Sequence, residues 1–428
     1  MKKTWWKEAV VYQIYPKSFQ DTNYDGIGDL RGIIQHLDYI QDLGATVIWL
    51  NPIYASPQVD NGYDISDYQS INPAFGTMDD FKELLTEAHN RGMRVILDMV
   101  LNHTSDQHKW FKESRKSKDN PYREYYFWRP AREGKMPEPN NWGNYFFEGR
   151  GSAWELDETT GEYYLHNYSK HMPDLNWDCK QLRKDIYKML NWWCDLGIDG
   201  FRLDAINRLQ KPQGLLDSPR PCAPPGNPYG FVVDREMCAN QPGIHDLLKD
   251  LNANVFSRHD IMTVGEAAGV TIDEAKKYAG NDGSELNMVF HFEHVNSDAT
   301  STPVLGKWGY EHPDLKKLRN ILNKWQLELE GKAWGSLYWD NHDQPRAVSR
   351  FGNDSPEYRV VSAKMLGTLL HMMKGTPYVY QGEELGMTNM HFSSVDDCAD
   401  VEEINAYRQY VTEHQMISSE EMLRCFDA

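Results

Sequence analysis

Cysteine is scarce: six residues in 428, at positions 179, 194, 222, 238, 398 and 425, with no CxxC pair and no zinc-ligand spacing. That spread argues against a disulfide scaffold and a structural zinc, and a reduced chain in the cytoplasm is the expectation. Long apolar runs are missing too. No segment approaches the ~18 apolar residues of a membrane span, and the lysine-bearing start MKKTWWKEAV has no apolar stretch of signal-peptide length. Positive charge is also short, 45 Lys and Arg against 63 Asp and Glu, a formal net charge of −18. Nucleic acid and anionic membrane are thereby excluded as expected partners, because a polyanion is repelled.

The composition is that of a folded chain. Hydrophobic residues make up 40% and aromatics 12%, including 14 Trp and 24 Tyr, a supply of flat rings that suits sugar faces. The length allows one large α/β domain with an insertion, or two or three ordinary domains. Eight short apolar runs end in polar or charged residues: 9–16, 46–52, 93–100, 199–205, 261–267, 287–292, 336–343 and 376–384. Most are separated by amphipathic segments of helical period, among them 30–44, 78–92, 182–197 and 357–375, which run up to a Gly at a helix stop. Buried strands alternating with helices imply a parallel sheet covered on both sides, and eight repeats favour a TIM (β/α)8 barrel over an open sheet. Residues 104–178 break the rhythm with Trp, Tyr, Asn, Pro and Gly. They predict an inserted subdomain after the third strand, dividing the barrel into 1–103 and 179–428.

Barrel enzymes carry their reacting groups at the C-terminal ends of strands. In this sequence Asp98 and His103 follow the third run, Arg202 and Asp204 end the fourth, Glu266 ends the fifth, and His342 and Asp343 end the seventh. Asp64 lies in the loop after the second, in NGYDISDY. A salt bridge or a strand-end cap would account for any one of them. Three carboxylates and an arginine converging on one rim are costly in stability and point to chemistry. Separately, DTNYDGIGD (21–29) spaces Asp21, Asn23, Asp25, the Ile27 carbonyl and Asp29 as the oxygen ligands of a calcium loop, with Gly26 permitting the turn. An Asp- and Gly-rich turn without an ion is the alternative.

The segments DMVLNH (98–103), GFRLDAI (200–206), VGEAAG (264–269) and WDNHDQP (339–345) resemble, in this order, the four short regions of the α-amylase superfamily, glycoside hydrolase family 13. WWKEAVVYQIYPKSFQDTNYDGIGDLRGI, NPIYASPQVDNGYDISDY, PDLNW and GTPYVYQGEELGMTN are similar to its oligosaccharide α-glucosidase branch, which includes α-glucosidase, oligo-1,6-glucosidase, dextran glucosidase and trehalose-6-phosphate hydrolase. The resemblance implies a retaining exo-acting α-glucosidase on a small oligosaccharide or disaccharide. Asp204 would be the nucleophile, kept ionised by Arg202 two residues away on the same strand face, and Glu266 the acid and base, with a raised pKa. Asp343, His103 and His342 would bind the hydroxyls of the distorted sugar, and Asp98 would orient Arg202. Asp64 would grip the far hydroxyl and close the pocket. Tyr63 and Tyr168 would stack on the ring, with core packing an equal alternative for Tyr168. The resemblance also favours structural calcium in the 21–29 loop, although Tyr24 occupies a place where Gly is usual.

Two departures qualify the likeness. Met172 stands where relatives often carry Gln. The chain stops at LRCFDA, so the segment, last barrel helix and C-terminal β-sandwich that follow in the branch are absent from it, and a complementary C-terminal polypeptide becomes an expected partner. Ala205, directly after the nucleophile, where Val accompanies α-1,6 cleavage, leads to an expected preference for α-1,4 linkages. The alternatives are oligo-1,6-glucosidase, dextran glucosidase or trehalose-6-phosphate hydrolase activity and, from another class, a non-catalytic binding module.

Overall fold

Eight short runs rich in branched and aromatic residues form strands: β1 Val11–Ile14, β2 Val47–Leu50, β3 Arg94–Val100, β4 Gly200–Asp204, β5 Met262–Glu266, β6 Met288–Phe290, β7 Ser336–Leu337 and β8 Thr376–Tyr380. The computed structural model describes residues 4–222, 229–299, 308 and 313–427. Among these the eight strands make one sheet in the order β6-β5-β4-β3-β2-β1-β8-β7, every neighbouring pair parallel. The two end strands are tied by side chains rather than a ladder: Ser336 Oγ donates to the Val289 carbonyl at 2.8 Å and Tyr338 OH to the His291 carbonyl at 2.7 Å. The result is a nearly closed (β/α)8 barrel. Its interior is filled by Val11, Val47, Trp49, Ile96, Met262, Val264, Met288, Phe290 and Tyr378, all buried.

The helices follow their sequence signals. Met78–Asn90 starts in a capping box between Thr77 and Asp80, which satisfies two otherwise orphaned backbone N–H groups. Lys180–Leu196 ends at Gly197, whose φ of +110° a side chain would resist. The segment predicted as one helix over 30–44 is two, Leu30–Gln35 and Leu37–Asp42, broken at His36. The helix Arg359–Met372 buries Leu366 and Leu370, while Val360, Val361, Met365, Leu369 and Met372 are exposed.

The segment 104–178 holds a short helix, Lys109–Ser114, and a three-stranded antiparallel sheet of Trp128–Arg129, Glu162–Leu165 and Trp154–Asp157. Its small core of Phe127, Trp142, Trp154, Tyr163 and Leu165 also includes Leu215 and Cys238. Trp142 pairs with Val232 in a β-bridge, so the loop after β4 completes this unit across the boundary at 178. Part of that loop, 223–228, lies outside the described residues. No helix among the described residues is long and apolar enough to cross a membrane.

Candidate active site

Alternation along β4 sets the centre of the rim. Arg202 and Asp204 lie two residues apart and share one strand face, while the register places Asp98 of β3 and Val264 of β5 beside Arg202. The Arg202 guanidinium is sealed from solvent. Its Nη1 donates to Asp98 Oδ1 and to Asp204 Oδ1, each at 2.8 Å, and its Nη2 donates to Glu266 Oε2. Trp49 and Tyr63 cover it, their ring centroids 5.3 and 5.9 Å from Cζ. Burial opposes the cation, but Asp98, Tyr63, Glu266 and Asp204 hold its pKa well above the ordinary value.

Burial and the neighbouring Glu266 push the Asp204 pKa well up, and the Arg202 guanidinium opposes them. Burial likewise pushes Asp98 up, against the pull of Arg202.

Exposure separates the carboxyls a sugar can touch from those it cannot. The side chains of Asp204, Glu266 and Asp343 keep 13%, 18% and 52% of their surface, whereas Asp98 keeps none. Asp98 instead accepts from Trp49 Nε1 at 3.3 Å and from Tyr63 OH at 2.9 Å. The Tyr63 hydroxyl also accepts from Asn51 Nδ2 at 2.8 Å and meets His342 Nε2 at 2.6 Å. Gln13 Nε2 donates to His342 Nδ1 at 2.9 Å, which places the ring proton on Nε2. Burial and Arg202 push His342 down to about 3, so the ring is neutral. Because the Tyr63 hydroxyl is spent on these partners, the ring face is what it can offer a sugar.

Asp64 is buried, and its oxygens accept from Ser56 Oγ at 2.9 Å, Val59 N at 3.0 Å and Asp60 N at 3.1 Å, which fixes the loop around it. Asp60, four residues earlier in the same loop, is pushed well up by burial and by the charges of Asp400, Asp64 and Asp343. Met172 is buried in the core and presents no polar group. Tyr168 is held between the rings of Tyr145 at 5.3 Å, Phe146 at 5.4 Å and His103 at 5.2 Å. Ala205 is buried and left-handed, with φ +43°, a strained turn that carries the chain off β4 immediately after Asp204.

The 21–29 loop is built on itself. Asp21 accepts from the backbone of Asn23, Tyr24 and Gly26 at 3.0, 2.7 and 2.8 Å. Asp25 accepts from Ile27 N at 2.8 Å and Asn23 Nδ2 at 3.0 Å. Asp29 caps the following helix through Gly32 N at 2.7 Å and takes Thr22 N at 2.9 Å. Tyr24 adopts φ +65°, so the turn forms without a glycine there. The donors are all oxygen, the class a hard cation takes. Among the described residues, however, no three His, Cys, Asp or Glu side chains gather as a metal site.

Comparison with known proteins accords with this geometry. The sequence profile described as "Alpha amylase, catalytic domain" matches residues 13–426. An oligo-1,6-glucosidase of Bacillus cereus is 56% identical over 413 residues, 96% of this chain and 71% of that protein. An alpha-glucosidase of Pediococcus pentosaceus is 54% identical over 98% of this chain and 73% of its own length. Among solved structures, a trehalose-6-phosphate hydrolase of Bacillus licheniformis superposes with a TM-score of 0.88 at 48% identity, covering 99% of this chain and 73% of that one.

Proposed function

The chain belongs to the α-amylase family of glycoside hydrolases, and from that premise we propose that it removes glucose from the non-reducing end of short α-glucosides with retention of configuration. The observation that carries this reading is one buried guanidinium holding Asp204 and Glu266 together, with Asp343 open beside them. Asp204 attacks the anomeric carbon while Glu266 gives its proton to the departing oxygen, leaving a glucosyl ester on Asp204. Glu266, now ionised, takes a proton from the water that cleaves the ester. Asp343 and the neutral donor His103 bind ring hydroxyls, while His342, its one N–H directed at the Tyr63 hydroxyl, holds the Tyr63 ring face in place for the sugar. Asp64, in the loop it fixes, is the carboxyl that takes the far hydroxyl and closes the pocket, as the resemblance implies.

The test is hydrolysis of a chromogenic α-glucoside by the purified chain, with the product anomer followed by NMR and the intermediate trapped by a fluorinated glucosyl fluoride. α-Glucose first, and a label on Asp204, are expected; β-glucose would overturn the mechanism. Names among the relatives favour α-1,6 linkages as the substrate class. The single methyl of Ala205 beside the nucleophile favours the second reading, α-1,4, through pocket shape, an effect of about 1–3 kcal/mol. kcat/KM on isomaltose and maltose, for wild type and Ala205→Val, decides between them.

For the 21–29 loop, calcium held by Asp21, Asn23, Asp25, the Ile27 carbonyl and Asp29 is the accompanying proposal, supported by the all-oxygen donor set. The ion would supply charge neutralisation in a loop of three acidic side chains.

A further inference from the structure

Between the rim and the inserted segment lies a buried ion pair that the chemistry above does not use. Lys211 Nζ stands 2.7 Å from Asp174 Oδ2, with the two side chains 2% and 0% exposed. The same amine donates to Asn102 Oδ1 at 2.7 Å and to the Arg208 carbonyl at 2.8 Å. Three acceptors thus take the three protons of a group that has no lone pair to accept with. Asp174 also accepts from Asn167 N at 2.9 Å and Asn167 Nδ2 at 2.7 Å, and from Asn102 Nδ2 at 3.3 Å. Burial works against this carboxylate, but Lys211 and the amide donors outweigh it and hold Asp174 below the ordinary range.

These partners leave the Asn102 amide one orientation. Its oxygen must face Lys211, a donor only, and its nitrogen must face Asp174, an acceptor only. A flipped amide would set two donors against each other at one end and two acceptor oxygens at the other. The remaining Nδ2 proton points at His103 Nδ1, 3.2 Å away, so Nδ1 accepts. Burial keeps His103 neutral by pushing its pKa down to about 4. A neutral imidazole that accepts at Nδ1 carries its proton on Nε2. His103 Nε2 is buried and has no hydrogen-bond partner among the described residues. The backbone around it is pinned as well: Leu175 N donates to the Asn102 carbonyl at 2.8 Å and Thr104 N to the Pro173 carbonyl at 3.2 Å.

We propose that Lys211 is a positioning residue of the cleft: through Asn102 it selects the Nε2–H tautomer of His103, so that the ring presents a donor to a sugar hydroxyl. This rests on reading the cleft as a glucose site, yet the tautomer is measurable without substrate. The experiment is long-range proton–nitrogen correlation on the full chain labelled with 15N-histidine at pH 7, the His103 signals being those missing from His103→Gln. A pyridine-type Nδ1 with a pyrrole-type Nε2 is expected in the wild type. A pyrrole-type Nδ1 overturns the proposal without recourse to any variant. The double substitution Lys211→Met with Asp174→Asn then removes both charges together, leaving no lone buried ion, and its melting curve reports folding. The expected result is loss of the single tautomer and a fall in kcat/KM of roughly 10- to 100-fold. A folded double variant that keeps the pure Nε2–H form overturns the role of Lys211, whatever its activity. A wild type with the expected tautomer and no glycosidase activity would count against the proposed function while supporting this assignment.

Discussion

Two acidic clusters in this chain meet opposite fates. At the strand ends, Asp98, Asp204 and Glu266 converge on one sealed guanidinium, and burial pushes Asp98 and Asp204 up. In the 21–29 loop the aspartates turn onto their own backbone, and Asp21, at the surface, is held below the ordinary range, chiefly by the Gly26 N–H. The residue type is the same, but the available donors differ. A barrel strand end has little free backbone N–H to offer, so its carboxylates need a cation from a neighbouring strand. A tight turn supplies amides in abundance, so its carboxylates are satisfied locally.

The sharpest way to break this contrast is to neutralise one carboxylate in each cluster. Asp204→Asn is expected to lower kcat by at least about 10³-fold, by analogy with removal of other nucleophiles, with little change in Tm. Asp25→Asn should leave kcat unchanged. Comparable losses from both would mean that the loop shapes the cleft.

Next in size is Arg202→Leu. It strands the carboxyls of Asp98, Asp204 and Glu266 without their shared partner, and breaking a buried pair of this kind costs about 3–5 kcal/mol. Urea denaturation should show the loss. A stability equal to wild type would mean that these carboxyls are already neutral.

Acid should weaken the barrel through its histidines. His103 and His342 have pKa values pushed below their unfolded value, to about 4 and about 3, chiefly by burial. Below pH ~6.5 the unfolded chain binds protons that the folded chain refuses, so stability is full above that pH and falls as pH drops towards about 4. Melting curves from pH 7 to 4.5 check the slope. His103→Gln should flatten it.

Within one loop, Asp64→Asn is expected to reduce kcat/KM by about 10- to 100-fold, the scale of a lost charged hydrogen bond to substrate, and to lower Tm, because Asp64 also accepts three loop hydrogen bonds. Asp60→Asn should cost less in both. The smallest effect is expected from chelation: removing calcium should lower Tm by a few degrees without changing kcat, a shift of the order that about 1 kcal/mol produces. An unchanged Tm would make the loop a turn and nothing more.

The strands and the rim were legible in the sequence for a physical reason. Strands buried on both faces must be continuous apolar runs, and the polar residue that ends each one marks the face where the loops gather. Asp98, Arg202, Asp204, Glu266 and His342 could be placed on one rim from that alone. The helix caps at Thr77 and Gly197 were legible because capping is local chemistry. What the tertiary structure alone decided is which partner each polar group finds. Asp60 and Asp64 share one short motif, and the donors Ser56 and Val59 fold over Asp64. Tyr168 as a ring packed among three others, Leu215 and Cys238 in the core of the inserted unit, and Lys211 joined to His103 across more than a hundred residues all depend on contacts between distant segments. Periodicity records which face of an element is buried. It carries no record of which hydrogen-bond donor on another element will meet it, because that is settled only when the elements pack.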